Sequence, residues 1–198
     1  GSLPAQNDTY QEDKRDTDII KKNFYDQARL LGKHVDFFYL DVMSSGRECD
    51  LAIKATENLN LPFLIGLHIR KNGKLPSGET ITEVFSKYRS KKWIGVITAC
   101  VSPEFTEKVA EELKNLGLPF GFKINAWHSI PDNFLVSDWK ENSIKNGDPA
   151  HILGKRKDIT PDKFYDFSKK LKKMGATILG GCCEIGPSHI SKIASLKN

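Results

Sequence analysis

Trp93-Ile-Gly-Val-Ile-Thr-Ala-Cys-Val-Ser-Pro103, with its continuation to Asn125, is the stretch on which the fold turns. Residues 93–99 are almost wholly apolar, the mark of a strand buried on both faces. Ser102-Pro103 then opens a helix, a capping residue followed by proline at the first helical position. That helix runs to about Leu116, and a second apolar strand spans 119–125. A strand, a crossing helix and another strand make a parallel pair.

The same alternation extends in both directions. Upstream, the helical spacing of Ile19, Ile20, Phe24, Ala28 and Leu31 leads to a strand at 35–40 that ends in Asp41. A helix at 47–58, a strand at 62–68 and a helix at 80–90 follow. Downstream, the prolines, asparagines and glycines of 126–158 break the rhythm and predict a long loop over one end of the molecule. Thr160-Pro161 opens a helix to about Lys173, a strand covers 176–179, and Gly180-Gly181-Cys182-Cys183 leads to a last helix from about Pro187.

Apolar strands alternating with amphipathic helices form either a doubly wound sheet or a (β/α) barrel. Asp41, His68, Cys100, Asn125 and the Cys182-Cys183 pair all fall at the carboxyl ends of successive strands, where barrel enzymes assemble their sites. That convergence predicts an α/β chain of the (β/α)8 TIM-barrel type. Five strands are legible where eight are needed, so residues 1–198 read as a single barrel domain lacking its first strands. The unpaired edges of such a sheet imply a longer gene product.

The 198 residues, 39% of them hydrophobic, suffice for one core. The net charge of +5 comes from 30 basic and 25 acidic side chains. The lysines are scattered or, around 169–173, lie on the polar side of a helix pattern, which describes a solvated face and not a nucleic-acid surface. No apolar run approaches the roughly 20 residues of a membrane span, and residues 1–18 hold no signal-peptide centre. Four cysteines, two of them adjacent, favour a reducing compartment and a metal or reactive role, so a cytoplasmic protein is expected.

Three cysteines can meet at the strand ends: Cys100 at one, Cys182 and Cys183 at another. Zinc favours thiolate ligands in tetrahedral array, and three protein ligands leave a fourth position for an incoming thiol. A free thiol, with a pKa near 8.5, is mostly protonated at neutral pH, and coordination turns it into a thiolate able to attack a methyl group. The competing readings are two small buried apolar residues or a strained disulfide between neighbours. Cys49, among Leu51, Ala52 and Ala55, reads as core. Asp41 is either a substrate partner or a cap or salt-bridge residue; Asn125 either orients substrate or ties down the long loop. His68 and His189 read as structural.

Gly175-Ala-Thr-Ile-Leu-Gly-Gly-Cys-Cys-Glu-Ile-Gly-Pro-Ser-His-Ile190 resembles the terminal strand, GGCC zinc motif and helix start of the homocysteine S-methyltransferase family, zinc enzymes on a (β/α)8 barrel. Ile97-Thr-Ala-Cys-Val-Ser-Pro103 resembles the segment that supplies that family's third thiolate. Gly1-Ser-Leu-Pro4 with Tyr10 resembles the loop after its third strand, Phe63 to His68 and Leu75-Pro-Ser-Gly78 its fifth-strand region, and Lys123-Ile-Asn-Ala126 its seventh. The resemblance implies zinc on Cys100, Cys182 and Cys183, and methyl transfer to the thiol of homocysteine to give methionine. It implies a small-molecule methyl donor, S-methylmethionine or S-adenosylmethionine before betaine. Leu40-Asp-Val-Met-Ser-Ser45 carries Asp41 where the family has a glutamate for the substrate amino group, and Ala99 replaces an asparagine. The family's glycine-aspartate-glycine motif of the first strand does not occur here. These departures motivate an alternative, a diverged barrel that keeps its zinc and has lost catalysis.

Overall fold

The computed structural model describes residues 1–135 and 150–197; residues 136–149 of the expected loop lie outside them. Six strands form one sheet: β1 (Ser2–Pro4), β2 (Phe38–Met43), β3 (Phe63–Leu67), β4 (Trp93–Val101), β5 (Phe120–Ile124) and β6 (Ile178–Gly181). Every neighbouring pair is parallel, and the order across the sheet is the order along the chain. A doubly wound sheet reverses its winding at a switch point. This one never does, so its right-handed crossovers place the helices on a single side, the arrangement of a barrel wall. β1 adds a strand to the five expected from sequence.

The helices are α1 (Thr17–Leu31), α2 (Gly46–Ala55), α3 (Ile81–Tyr88), α4 (Pro103–Lys114), the single turn α5 (Ala150–Leu153), α6 (Pro161–Lys173) and α7 (Pro187–Ala194). Local chemistry fixes their starts. Asp16, Ser45, Thr80 and Thr160 each accept a backbone N–H with their side chains, Thr80 and Glu83 closing a full capping box. Proline stands at the first position of α4, α6 and α7.

Side chains alternate across the strands. Leu3, Phe38, Leu40, Ile65, Val96 and Phe122 point out to the helices and join Ile20, Phe24, Leu113, Phe164 and Leu171 in the main core. The register places Tyr39, Asp41, Ile97, Ala99, Lys123 and Ile178 on the opposite face. There Lys123 of β5 forms an ion pair with Asp41 of β2 at 2.5 Å. In a flat sheet, strands three apart are about 14 Å from each other, too far for a lysine and an aspartate to bridge. The contact therefore requires the sheet to curl inward, as a barrel wall does.

Where β2 turns into α2, the Ser45 hydroxyl donates to Glu48 at 2.7 Å, while the other Glu48 oxygen is buried without a partner. Burial pushes this carboxyl up to about 7, against 4.5 when unfolded. The folded state thus holds the proton more tightly, and Glu48 erodes stability as pH rises from the unfolded value through the folded one. Glu48→Gln should stabilise the chain by up to about 3 kcal/mol at pH 8 and change little near pH 4.5, as read by denaturant melts at both values.

Candidate metal centre

Ala99 pairs with Lys123 and Val101 with Ile124, so β4 carries one residue more than β5 between these points. The extra residue is Cys100. Strand alternation alone would turn its side chain outward, but a bulge re-aims a side chain. Cys100 takes a left-handed φ of 55°, unusual for a residue with a Cβ. Cys100 therefore lies within β4, not beyond its end, and its sulfur faces the sulfurs at the end of β6. Val42 repeats the device in β2, with a φ of 60° at a second register shift.

The turn after β6 is pinned from several sides. Cys182 N–H donates to the Ile124 carbonyl at 2.6 Å, Ala126 N–H to that of Cys183 at 3.0 Å, and Ile185 N–H to that of Cys182 at 3.1 Å. Glu184 sits at a φ of 66° and pairs with Lys155 at 2.6 Å. Of the two glycines before the pair, Gly181 is the one the turn demands: a Cβ there would lie 2.2 Å from Ile185, whereas at Gly180 it would make ordinary contacts.

Cys183 Sγ lies 3.8 Å from Cys100 Sγ and 3.8 Å from Cys182 Sγ, and all three sulfurs fall within 4.8 Å of one another. Thiolates at 2.3 Å from a tetrahedral zinc are about 3.8 Å apart, so the donor set and its spacing fit that ion. No disulfide joins the pair, and Cys49 is buried in the core on the inner face of α2. Each of the three thiols is pushed up to about 11. The largest influences are the neighbouring sulfurs, which act in both directions on one another, and burial adds to the rise. Three thiols this close, each of which gives up its proton on coordination, form a donor set for one cation.

The surroundings hold the sulfurs in place. Asn125 Nδ2 donates to the Cys100 carbonyl at 2.7 Å and lies 3.6 Å from its sulfur, while Asn125 Oδ1 accepts from Trp127 N–H at 3.2 Å. These bonds tie the start of the long loop to the strand and brace the bulge. The Tyr10 hydroxyl is 3.3 Å from Cys100 Sγ. Burial and then Cys100 raise the Tyr10 phenol, which keeps its proton. His68 packs edge-on against Tyr10, and burial holds its imidazole down at about 4, neutral at physiological pH. His189 accepts the Gly186 N–H and contacts the Ile159 carbonyl, a support for α7. Beside Cys100 a cavity of about 260 Å³ is lined by His68, Arg70, Phe105, Asn125 and Trp127. Asp41 lies deeper, bound to Lys123. Trp127 and Lys123 had no assigned role in the sequence reading; for Lys123 the signal was a charge at an inward position of an apolar strand.

The homocysteine S-methyltransferase family model matches residues 1–196. The chain belongs to that family. It is 27% identical over 139 residues to homocysteine S-methyltransferase 1 of Arabidopsis thaliana, a match covering 70% of this chain and 38% of the relative. The metallated crystal structure of the homocysteine methyltransferase MmuM from Escherichia coli superposes with a TM-score of 0.70 at 14% identity, over 95% of this chain and 55% of that one. The apo form gives 0.59 at 14% identity, over 88% and 56%. The chain thus spans about two-fifths of the curated relative and just over half of the solved ones. Among the described residues, no helix is long and apolar enough to cross a membrane.

Proposed function

We propose that this family member binds zinc through Cys100, Cys182 and Cys183 and transfers a methyl group to the thiol of homocysteine, giving methionine. The observation that carries the reading is the meeting of three sulfurs from a strand bulge and a terminal turn, all within 4.8 Å of one another and two of the pairs at 3.8 Å. Zinc bound there supplies the charge that lets an incoming thiol lose its proton at neutral pH. The protein's part is to bring together the three sulfurs that would hold the ion and to brace Cys100 with Tyr10 and Asn125. A new sulfur–carbon bond forms as the donor's carbon–sulfonium bond breaks, and the electron pair leaves on the donor's neutral sulfur. A sulfonium donor carries its own leaving group, so no acid is required, which favours S-methylmethionine or S-adenosylmethionine. The cavity beside Cys100 is the approach we assign to it.

Such a protein works without nucleic acid or membrane, and we place it in the cytoplasm because its site needs reduced thiols. The test is metal content and methionine formation from homocysteine with each donor in turn. About one zinc per chain with turnover would support the reading. Zinc without turnover under any donor would favour a barrel that keeps its metal and has lost its chemistry.

A further inference from the structure

One inward-facing pair is left over once the metal centre is built. Lys123 and Asp41 are each 21% exposed, their charged atoms 2.5 Å apart, and the Lys123 ammonium lies 5.2 Å from the centre of the Tyr39 ring. The register aligns Lys123 with Ala99 on one side and Gly180 on the other. It therefore sits one layer beneath Cys100 and Cys182, and Gly180 interposes no side chain. Of the two Asp41 oxygens, Oδ1 accepts from Lys123 and Oδ2 lies 3.5 Å from Ser2 Oγ.

This arrangement bears on which thiols the site admits. Three ligand thiolates already surround the open position, so a carboxylate on the incoming molecule needs a nearby cation. Among the described residues, the inward strand positions supply one basic side chain, Lys123. An ammonium group on the acceptor meets a different situation. Both Asp41 oxygens are already engaged, one by Lys123 and the other near Ser2, whereas the Lys123 ammonium carries three N–H donors and can serve a second carboxylate while still holding Asp41.

We propose that Lys123 selects the acceptor by taking its carboxylate, so that the site favours thiols bearing a carboxylic acid and draws little from an amino group on them. This departs from the amine-binding role that the family resemblance gives Asp41, and it rests on the thiol-acceptor reading above. The test loads the full-length protein with cobalt(II) and follows the thiolate-to-cobalt absorption while three thiols are titrated: homocysteine, 4-sulfanylbutanoate and 3-sulfanylpropan-1-amine. One charge-assisted hydrogen bond predicts that 4-sulfanylbutanoate binds about as tightly as homocysteine, and the amine about ten- to hundredfold more weakly. Lys123→Met should reverse the order of the carboxylate and the amine, because it frees Asp41. Asp41→Asn, which keeps the shape, should tighten the carboxylate.

Equal binding of carboxylate and amine thiols to the native protein would overturn the proposal, even if Lys123→Met does not fold. An unchanged order in Lys123→Met would do the same. If no thiol alters the cobalt spectrum, the thiol-acceptor reading itself falls and this one falls with it. If all three bind without preference, the acceptor reading stands and only the selection by Lys123 is lost.

Discussion

Cys182→Ser should leave a folded chain that no longer binds a metal ion at the three-sulfur cluster. The cysteine is only partly buried, at a turn held by backbone hydrogen bonds, so removing its sulfur costs little packing. The remaining pair, Cys100 and Cys183, cannot surround an ion. Changing groups that merely support ligands already costs about 10–100-fold in metal affinity, and loss of a ligand should exceed that. Cys49→Ser is the contrasting variant. It buries a hydroxyl in the core and should cost about 1–3 kcal/mol while leaving metal stoichiometry intact. Metal analysis beside thermal melts separates the two. The same cluster predicts a steep pH dependence. With each thiol pushed up to about 11, three protons must leave for one ion to bind. Affinity should then fall by up to about a thousandfold per unit as pH drops.

Gly121→Ala should be the most damaging substitution of a single small residue. A Cβ at Gly121 would lie 1.7 Å from the Ile178 carbonyl oxygen and 2.6 Å from its carbon. These are backbone atoms of the neighbouring strand, and they cannot yield unless β5 and β6 part. Overpacking typically costs about 1–3 kcal/mol, and a clash with backbone belongs at or beyond the top of that range. Because β6 leads directly into the cysteine turn, the variant should lose metal together with stability. Gly180→Ala, where the added carbon would sit 3.6 Å from its nearest neighbour, should stay within about 1 kcal/mol. Denaturant midpoints and metal content of the two variants check the contrast.

The parts of this molecule that announce themselves in sequence are those decided within a few residues. Ser102-Pro103 and Thr160-Pro161 start helices where expected, because caps and prolines act on their own turn. The strands at 62–68, 93–99 and 119–125 were legible from their apolar runs, and the adjacent cysteines from their chemistry. What stayed hidden depends on partners far along the chain. Ser2–Pro4 has no periodicity to read and becomes a strand only through its pairing with β2. Nothing in Ala99-Cys100-Val101 states that the strand carries an extra residue there, since a bulge is defined by its neighbour. Asp41 was expected at a strand end, but β2 runs on to Met43 and keeps it inside the sheet, and its bond to Lys123 follows from the curl of the whole sheet.

Cys100 belongs to β4 and its two companions follow β6, so β5 lies between them. An ion held by all three would also be a crosslink, closing a loop of about eighty residues in the way a long-range disulfide does, for which chain entropy predicts about 4–5 kcal/mol. A protease cut anywhere in that loop would then leave two pieces that travel together, and a chelator would let the terminal strand and helix come away.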